Sequence, residues 1–385
     1  MAGIPISRAF LPPGGGVRKV ERRAASIIDP AEKLRYLRSR MLPAPAPRRR
    51  AWLGLAACAL AVTGVVFAYS RTGPAAAQRP VRITPERAAP SAAAIANVWL
   101  VEEKNGTEFY SNGLRVERKL EVSTRPRRYR VMDRAAGTWS AGAAPAGIVF
   151  HATESLIKPF TPDHNDELKQ AGKGILAYVR QRELYNFVID RFGRVFRLVK
   201  EAEAANHAGY SIWADAGRVY IDLNDSFLGV SFEAQTASPA PSRTAAQTTA
   251  AKLLTEMLRS RYGIAPENCV THAQVSVNPR NMQLGYHTDW AAGFPFEELG
   301  LRNLYKEPNP AVALFGFGFG PDLIAAAGGK PWAGLVAAEL RLVEEAAATG
   351  QTTEGLRQLL RRKYKKSAEA AREHAAPRER THDES

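Results

Sequence analysis

Cysteine is scarce in this chain of 385 residues: there are two, Cys58 and Cys269. Cys58 falls inside a long apolar run, so no structural disulfide can close within the folded part, which excludes the disulfide-stapled class of small secreted scaffold. Acidic residues are in deficit, 38 Asp and Glu against 53 Lys and Arg, for a formal charge of +15. The excess is local. Residues 1–50 hold twelve Lys and Arg against three Asp and Glu, and RRKYKK at Arg361–Lys366 forms a second cluster. Between these flanks the charges are mixed, so the basicity does not form a DNA-reading face and no nucleic-acid partner is expected.

Charge is missing altogether from Ala51 to Tyr69, AWLGLAACALAVTGVVFAY, a run of nineteen residues. As a helix rising about 1.5 Å per residue, that run can cross a bilayer core of about 30 Å. Arg48, Arg49 and Arg50 abut its start and keep residues 1–50 in the cytoplasm by the positive-inside rule. The expected arrangement is a single-pass protein of the inner membrane with a cytoplasmic basic arm (1–50), a transmembrane helix (51–69) and a Pro/Ala/Arg-rich linker (70–94). Everything that follows is expected outside the cytoplasm. Three processing signals compete with an uncleaved anchor: Ala75-Ala76-Ala77 as a signal-peptidase site, Leu55–Cys58 as a lipobox, and Arg49-Arg50 as a twin-arginine start. The long arm before the run and the early position of the lipobox favour the anchor.

The remaining length suffices for one core of about 150 to 250 residues and a smaller unit. Asn105-Gly106 and Asn112-Gly113 punctuate strand-like runs and predict a small β lead-in over 95–140. Ile148–Phe150 reads as a short apolar strand ending at His151, and 164–182 as a helix. Residues 185–199 read as two strands about Arg191-Phe192-Gly193, 218–234 as another strand pair, and 242–262 as a helix. Strands alternating with helices predict an α/β fold, a mixed central β-sheet flanked by helices, over 147–304. A helical extension, 305–385, follows, with FGFGFG at Phe315–Gly320 and a long helical pattern from Ala333 to Ala371.

The chain has seven histidines, and two of them stand in THAQVSVNPRNMQLGYHTDWAAGFPF, Thr271–Phe296, with Asp289 two residues past the second. A metal centre needs about three imidazole or carboxylate ligands, an open position for water and a proton acceptor nearby. His151, His272 and either His287 or Asp289 are the candidates.

IVFHAT at Ile148–Thr153, LYNFVIDRFGRVFRLV at Leu184–Val199, NHAGYSIW at Asn206–Trp213, FLGVSFEA at Phe227–Ala234 and THAQVSVNPR at Thr271–Arg280 occur in the order and spacing of a known family. They resemble the zinc-dependent N-acetylmuramoyl-L-alanine amidases of type 2, relatives of the phage amidases and the peptidoglycan recognition proteins. The resemblance covers about 147–299 and none of the flanks.

It implies a zinc amidase domain that cleaves the amide between N-acetylmuramic acid and L-alanine in peptidoglycan. His151 and His272 match the first two zinc ligands, and Asp289 the third. The usual Asp-Pro-Gly has become Asp289-Trp290-Ala291 and the spacing is longer, so His287 remains a rival for that place. With Asp289 as ligand, His287 falls where the family steadies the oxyanion. Glu233 matches the family's general base and Tyr185 a tyrosine near the zinc; His207 and Asn186 are expected to contact substrate. The alternative implied by the same resemblance is a membrane-anchored, non-catalytic peptidoglycan-binding module, whose mark is a missing third ligand. Partners other than peptidoglycan and the membrane are not indicated.

Overall fold

The computed structural model describes residues 97–155, 157–236 and 243–373, all within one unit spanning 89–385. The basic arm, the expected transmembrane helix and the linker lie outside the described residues. Among the described residues no helix is long and apolar enough to cross a membrane.

The principal sheet has eight strands: β1 (Leu100–Lys104), β2 (Thr107–Tyr110), β3 (Arg115–Glu117), β4 (Gly147–Ala152), β5 (Phe187–Ile189), β6 (Val195–Arg197), β7 (Phe227–Phe232) and β8 (Cys269–Thr271). Their spatial order is β1-β2-β3-β6-β5-β7-β4-β8. The central pairs β5/β7, β7/β4 and β4/β8 are parallel, while β1/β2, β2/β3 and β5/β6 are antiparallel. Every residue of β4, GIVFHA, and of β7, FLGVSF, is buried, as expected of parallel strands covered on both faces.

Two helices supply the covers. Helix α1 (Asn165–Gln181) packs Leu176 and Val179 on Val188 and Phe196, whereas α2 (Ala245–Tyr262) packs Ala251, Leu254 and Leu258 with Phe187, Ile189 and Val195. Alternate residues of β5 therefore serve opposite layers. Helix α2 begins at a capping box, Thr244 with Gln247, and ends at Gly263 with φ +63, so the expected helix over 242–262 starts three residues late for a local reason.

The expected lead-in is an integral part of this sheet. Asn105 (φ +55) and Gly106 (φ +75) turn β1 into β2, the double positive φ of a tight hairpin, and Val116 of β3 then pairs in parallel with Val195 of β6. Arg197 of β6 locks the joint: its guanidinium is buried among Glu108, Glu121 and Glu201.

The expected strand pair over 218–234 divides differently. Residues Arg218–Ile221 and Phe227–Phe232 are both strands, but Asp222, at φ +61, redirects the chain and the first joins a separate four-stranded sheet. That sheet pairs Arg218–Ile221 with Ile212–Ala214 and with Tyr129–Asp133, which pairs with Trp139–Gly142. Its apolar residues Met132, Ile212, Val219 and Ile221 form a second core with the C-terminal extension. The 333–371 pattern is two helices and not one, broken at Gly350 (φ +66). Besides the short helix α3 (His272–Val275), the extension contributes α4 (Pro310–Phe315), α5 (Ala333–Ala348) and α6 (Thr353–Arg372). Leu335, Ala338, Leu342, Leu356 and Tyr364 are among its buried side chains in that core.

Candidate metal centre and active site

The parallel strands β4, β5, β7 and β8 point their carboxyl ends the same way, the position at which open α/β sheets gather ligands. His151 is the penultimate residue of β4, and His272 follows β8 immediately, at the first position of α3. Thr271 opens that short helix through a capping box with Gln274, which fixes the direction in which the His272 ring leaves the sheet. Asp289 comes from the irregular turn after Gly285. It is anchored to β4 by the Ala152 N–H, which donates to Oδ2 at 3.2 Å, and to α3 by its own carbonyl, which accepts from the Ala273 N–H at 3.2 Å.

These three side chains converge. One ligand atom from each of His151, His272 and Asp289 can be chosen so that all lie within 4.8 Å of one another, and all three residues are buried. Both rings turn Nδ1 toward the carboxylate: His272 Nδ1 lies 2.8 Å from Oδ1 and His151 Nδ1 3.5 Å from Oδ2.

The ionisation states suit a cation. Burial, reinforced by His272, pushes the His151 imidazole down to about 4. Burial alone would raise the Asp289 carboxyl, but His272 and His151 beside it hold it well below the usual carboxylate range. A neutral imidazole and an ionised carboxylate are the forms that bind zinc, and Nδ1–oxygen gaps of this size bracket the roughly 3.3 Å between neighbouring ligands of a tetrahedral ion with bonds of about 2.0 Å. The donor set of His151, His272 and Asp289 could hold a zinc ion.

His207 stands behind His151. Its Nε2 lies 3.2 Å from the Phe227 carbonyl and its Nδ1 3.1 Å from His151 Nε2. A carbonyl can only accept, so His207 carries its proton on Nε2 and accepts at Nδ1. His151 then carries its proton on Nε2 and presents a lone pair at Nδ1, toward Asp289. His207 is thus a buried orienting group, and its expected place on the substrate face is corrected. Gly229 of β7 makes room for it: a Cβ there would lie 2.7 Å from His207 Cγ.

Asn186 is corrected in the same way. It is fully buried, its Nδ2 donates to the carbonyls of Val199, Lys200 and Glu203, and its Oδ1 accepts from Gly229 N–H. Every polar atom of the amide is occupied in stapling β5 to β7.

Glu233 makes no hydrogen bond to His151, His272 or Asp289 among the described residues. One residue beyond β7, it accepts from the Arg191 N–H at 3.1 Å, and its Oε2 lies 3.3 Å from where a Cβ on Gly172 of α1 would sit. Burial pushes this carboxyl up to about 7, with Arg191 N–H opposing the rise. Ser231 is the β7 residue in register with His151, and its buried hydroxyl has no hydrogen-bond partner among the described residues. No sequence signal marked it.

Tyr185 and His287 flank the rings. Tyr185 stands 5.0 Å from His151 between ring centroids, with φ +55. His287 stacks on His272 at 4.7 Å and 18°, and burial, reinforced by His272, lowers it to about 4. Neither ring nitrogen of His287 has a hydrogen-bond partner among the described residues. A cleft of about 320 Å³ opens beside Tyr185, walled by Thr153, Ser155, Ile175, Tyr178 and Leu184. A second cleft, of about 290 Å³, lies at Arg134, Trp213 and Arg341 and shares no residue with the metal group.

Comparison with known proteins reaches the same region. The family model described as N-acetylmuramoyl-L-alanine amidase matches residues 141–289, an interval that contains all three metal-group residues. No curated protein sequence matches the chain. Among solved structures, AmpDh3 from Pseudomonas aeruginosa, bound to anhydromuramic pentapeptide, is 21% identical at TM-score 0.29 over 40% of this chain and 58% of its own. AmiD from E. coli, bound to anhydro-N-acetylmuramic acid-L-Ala-D-γ-Glu-L-Lys, is 23% identical at 0.31 over 44% and 64%. The Clostridium intestinale endolysin LysCS is 22% identical at 0.26 over 40% and 80%. The chain therefore spans little more than half the length of the first of these relatives. Residues 141–289, which include His151, His272 and Asp289 of the buried group, are thus similar to the N-acetylmuramoyl-L-alanine amidase family.

Proposed function

We propose that this chain is a zinc-dependent amidase that hydrolyses the bond between N-acetylmuramic acid and L-alanine in peptidoglycan, held at the inner membrane by residues 51–69 with its catalytic domain outside the cytoplasm. The observation that carries the reading is the buried His151–His272–Asp289 group at the carboxyl ends of parallel strands, inside the matched interval. That third ligand is what a non-catalytic wall-binding module would lack, so the geometry favours the enzyme.

His151, His272 and Asp289 would hold the metal through two Nδ1 atoms and a carboxylate. When bound, zinc supplies Lewis acidity toward the scissile carbonyl and lowers the pKa of a water from about 15.7 to about 7. His207 keeps the His151 lone pair pointed inward, and Asp289 balances charge. The neutral ring of His287, stacked on His272, offers an N–H to the developing oxyanion. Tyr185 presents its hydroxyl beside His151, where it can orient the water or the carbonyl. The cleft beyond Tyr185, with Ile175, Tyr178 and Leu184 as apolar wall, receives the muropeptide.

The test uses the full-length protein in detergent. Wild type should contain one zinc per chain and release the stem peptide from muropeptides, and His272→Ala should lose both. Full cleavage by metal-free His272→Ala would overturn the reading, as would a wild type that binds wall but takes up no zinc. The membrane arrangement is checked separately by a reporter enzyme fused after residue 94, which should be active only outside the cytoplasm.

A further inference from the structure

The turn that carries Asp289 follows the short strand Gln283–Leu284, and its backbone is unusual. Trp290 follows the ligand at φ +56, a conformation that side chains rarely adopt. Its indole is buried against Phe232 and Phe294, with centroids 5.4 and 5.5 Å away. Rings hold the side chain in place but give nothing to the carbonyls of the turn.

Those carbonyls are satisfied from outside the matched interval. Tyr305 Oη donates to the Trp290 carbonyl, and Trp332 Nε1 donates to that of Ala291 at 2.7 Å. Asn309 Nδ2 donates to the Gln274 carbonyl at 2.8 Å, within α3, whose first residue is His272. These donors are themselves held in place. Asn309 caps α4 by accepting from the Ala311 N–H, and the Tyr305 ring lies 5.0 Å from the Trp332 ring. Since the Ala273 N–H already ties α3 to the Asp289 carbonyl, the extension grips both ends of one small assembly: the segment bearing His272 and the turn bearing Asp289.

We propose that Tyr305, Asn309 and Trp332 are positioning residues for the metal centre, so that the C-terminal extension sets the separation of His272 and Asp289. This rests on the zinc reading above. An indole N–H can only donate, a buried phenol keeps its proton, and each has a single carbonyl to which it donates here, so each fixes one peptide plane. The two carbonyls lie one and two residues past Asp289, so small rotations there move the carboxylate relative to the His272 ring. Outer partners of metal ligands are worth about 10- to 100-fold in affinity. As these act through the backbone, the low end is expected.

The experiment compares full-length wild type with Trp332→Phe and Tyr305→Phe, which keep an aromatic ring at each position and remove one donor each. Zinc affinity is measured by competition with a chromophoric chelator, ligand geometry by the visible spectrum of the cobalt-loaded protein, and folding by the thermal midpoint of the metal-free protein. Each variant should bind zinc about tenfold more weakly and show a shifted cobalt band, at a metal-free midpoint close to wild type. Tyr364→Phe, buried against Phe315 and Phe317 in the same extension, should leave affinity and spectrum unchanged. Wild-type affinity and spectrum in both Trp332→Phe and Tyr305→Phe would overturn the proposal, as would equal weakening in Tyr364→Phe. A wild type that takes up no zinc would overturn the functional reading itself, and this one with it.

Discussion

Glu233→Gln separates a catalytic carboxylate from a structural one. The side chain is 3% exposed, accepts the Arg191 N–H and rests against Gly172 of α1, with no hydrogen bond to the metal group. Burial raises it from 4.5 to about 7. The folded state therefore favours the protonated acid. Below pH 4.5 the group is protonated whether the chain is folded or not and has no effect on stability. As pH rises from 4.5 through 7 the unfolded chain releases the proton first and stability is lost. At 1.36 kcal/mol per pH unit the ceiling is about 3.4 kcal/mol, and relaxation of the polar surroundings brings the working figure to about 2 kcal/mol. Glutamine keeps an acceptor for Arg191 N–H and has no charge to bury. The variant should be more stable than wild type at pH 8, by about 2 kcal/mol or roughly 5 °C, and equal to it near pH 4. Melting curves of metal-free protein across this range, with muropeptide cleavage at pH 7.5, are the assay. Cleavage should stay within a few-fold of wild type. A loss of a hundredfold or more with an unchanged melting profile would refute the placement of Glu233 outside the chemistry.

Two further substitutions probe the scaffold. Gly229→Ala places a Cβ 2.7 Å from His207 Cγ, displaces the ring that orients His151, and should lower zinc affinity about tenfold along with 1 to 3 kcal/mol of stability; chelator competition and urea melts measure both. Arg197→Met removes the cation from among Glu108, Glu121 and Glu201 and should cost about 3 to 5 kcal/mol; a urea midpoint within 0.5 kcal/mol of wild type would show that these acids are relieved by other means.

The central strands and covering helices were legible because their signals are local: unbroken apolar runs for β4 and β7, a capping box and apolar spacing for α2. His151 and His272 were legible for the same reason, as polar residues at the ends of such runs. The roles of His207 and Asn186 were not. Both sit in motifs whose residues look substrate-facing, yet which way a ring or amide turns depends on carbonyls of Phe227 or Val199, supplied by other strands. The surroundings of Glu233 were not legible either, because β7 stops at Phe232 and one residue later the side chain meets the Arg191 N–H, which another segment supplies. The lead-in and the extension looked like appendages because amphipathic strands and helices announce that they pack, not on what. Only the long-range pairing of Val116 with Val195, and the packing of Leu335 and Tyr364 of the extension in one core with Ile212 and Val219, shows that both complete the same unit.

The strand order also governs how this unit responds to load. The chain enters it at β1, an edge strand, while His151 sits on β4, six strand spacings away, or about 29 Å at 4.8 Å each. Tension arriving along the preceding linker acts on the antiparallel β1–β2 hairpin and opens its hydrogen bonds one at a time, the weakest mode in which a sheet can be pulled. The hairpin is thus a mechanical fuse. It can peel and re-form while the four parallel strands that carry His151 and lead to His272 keep their register.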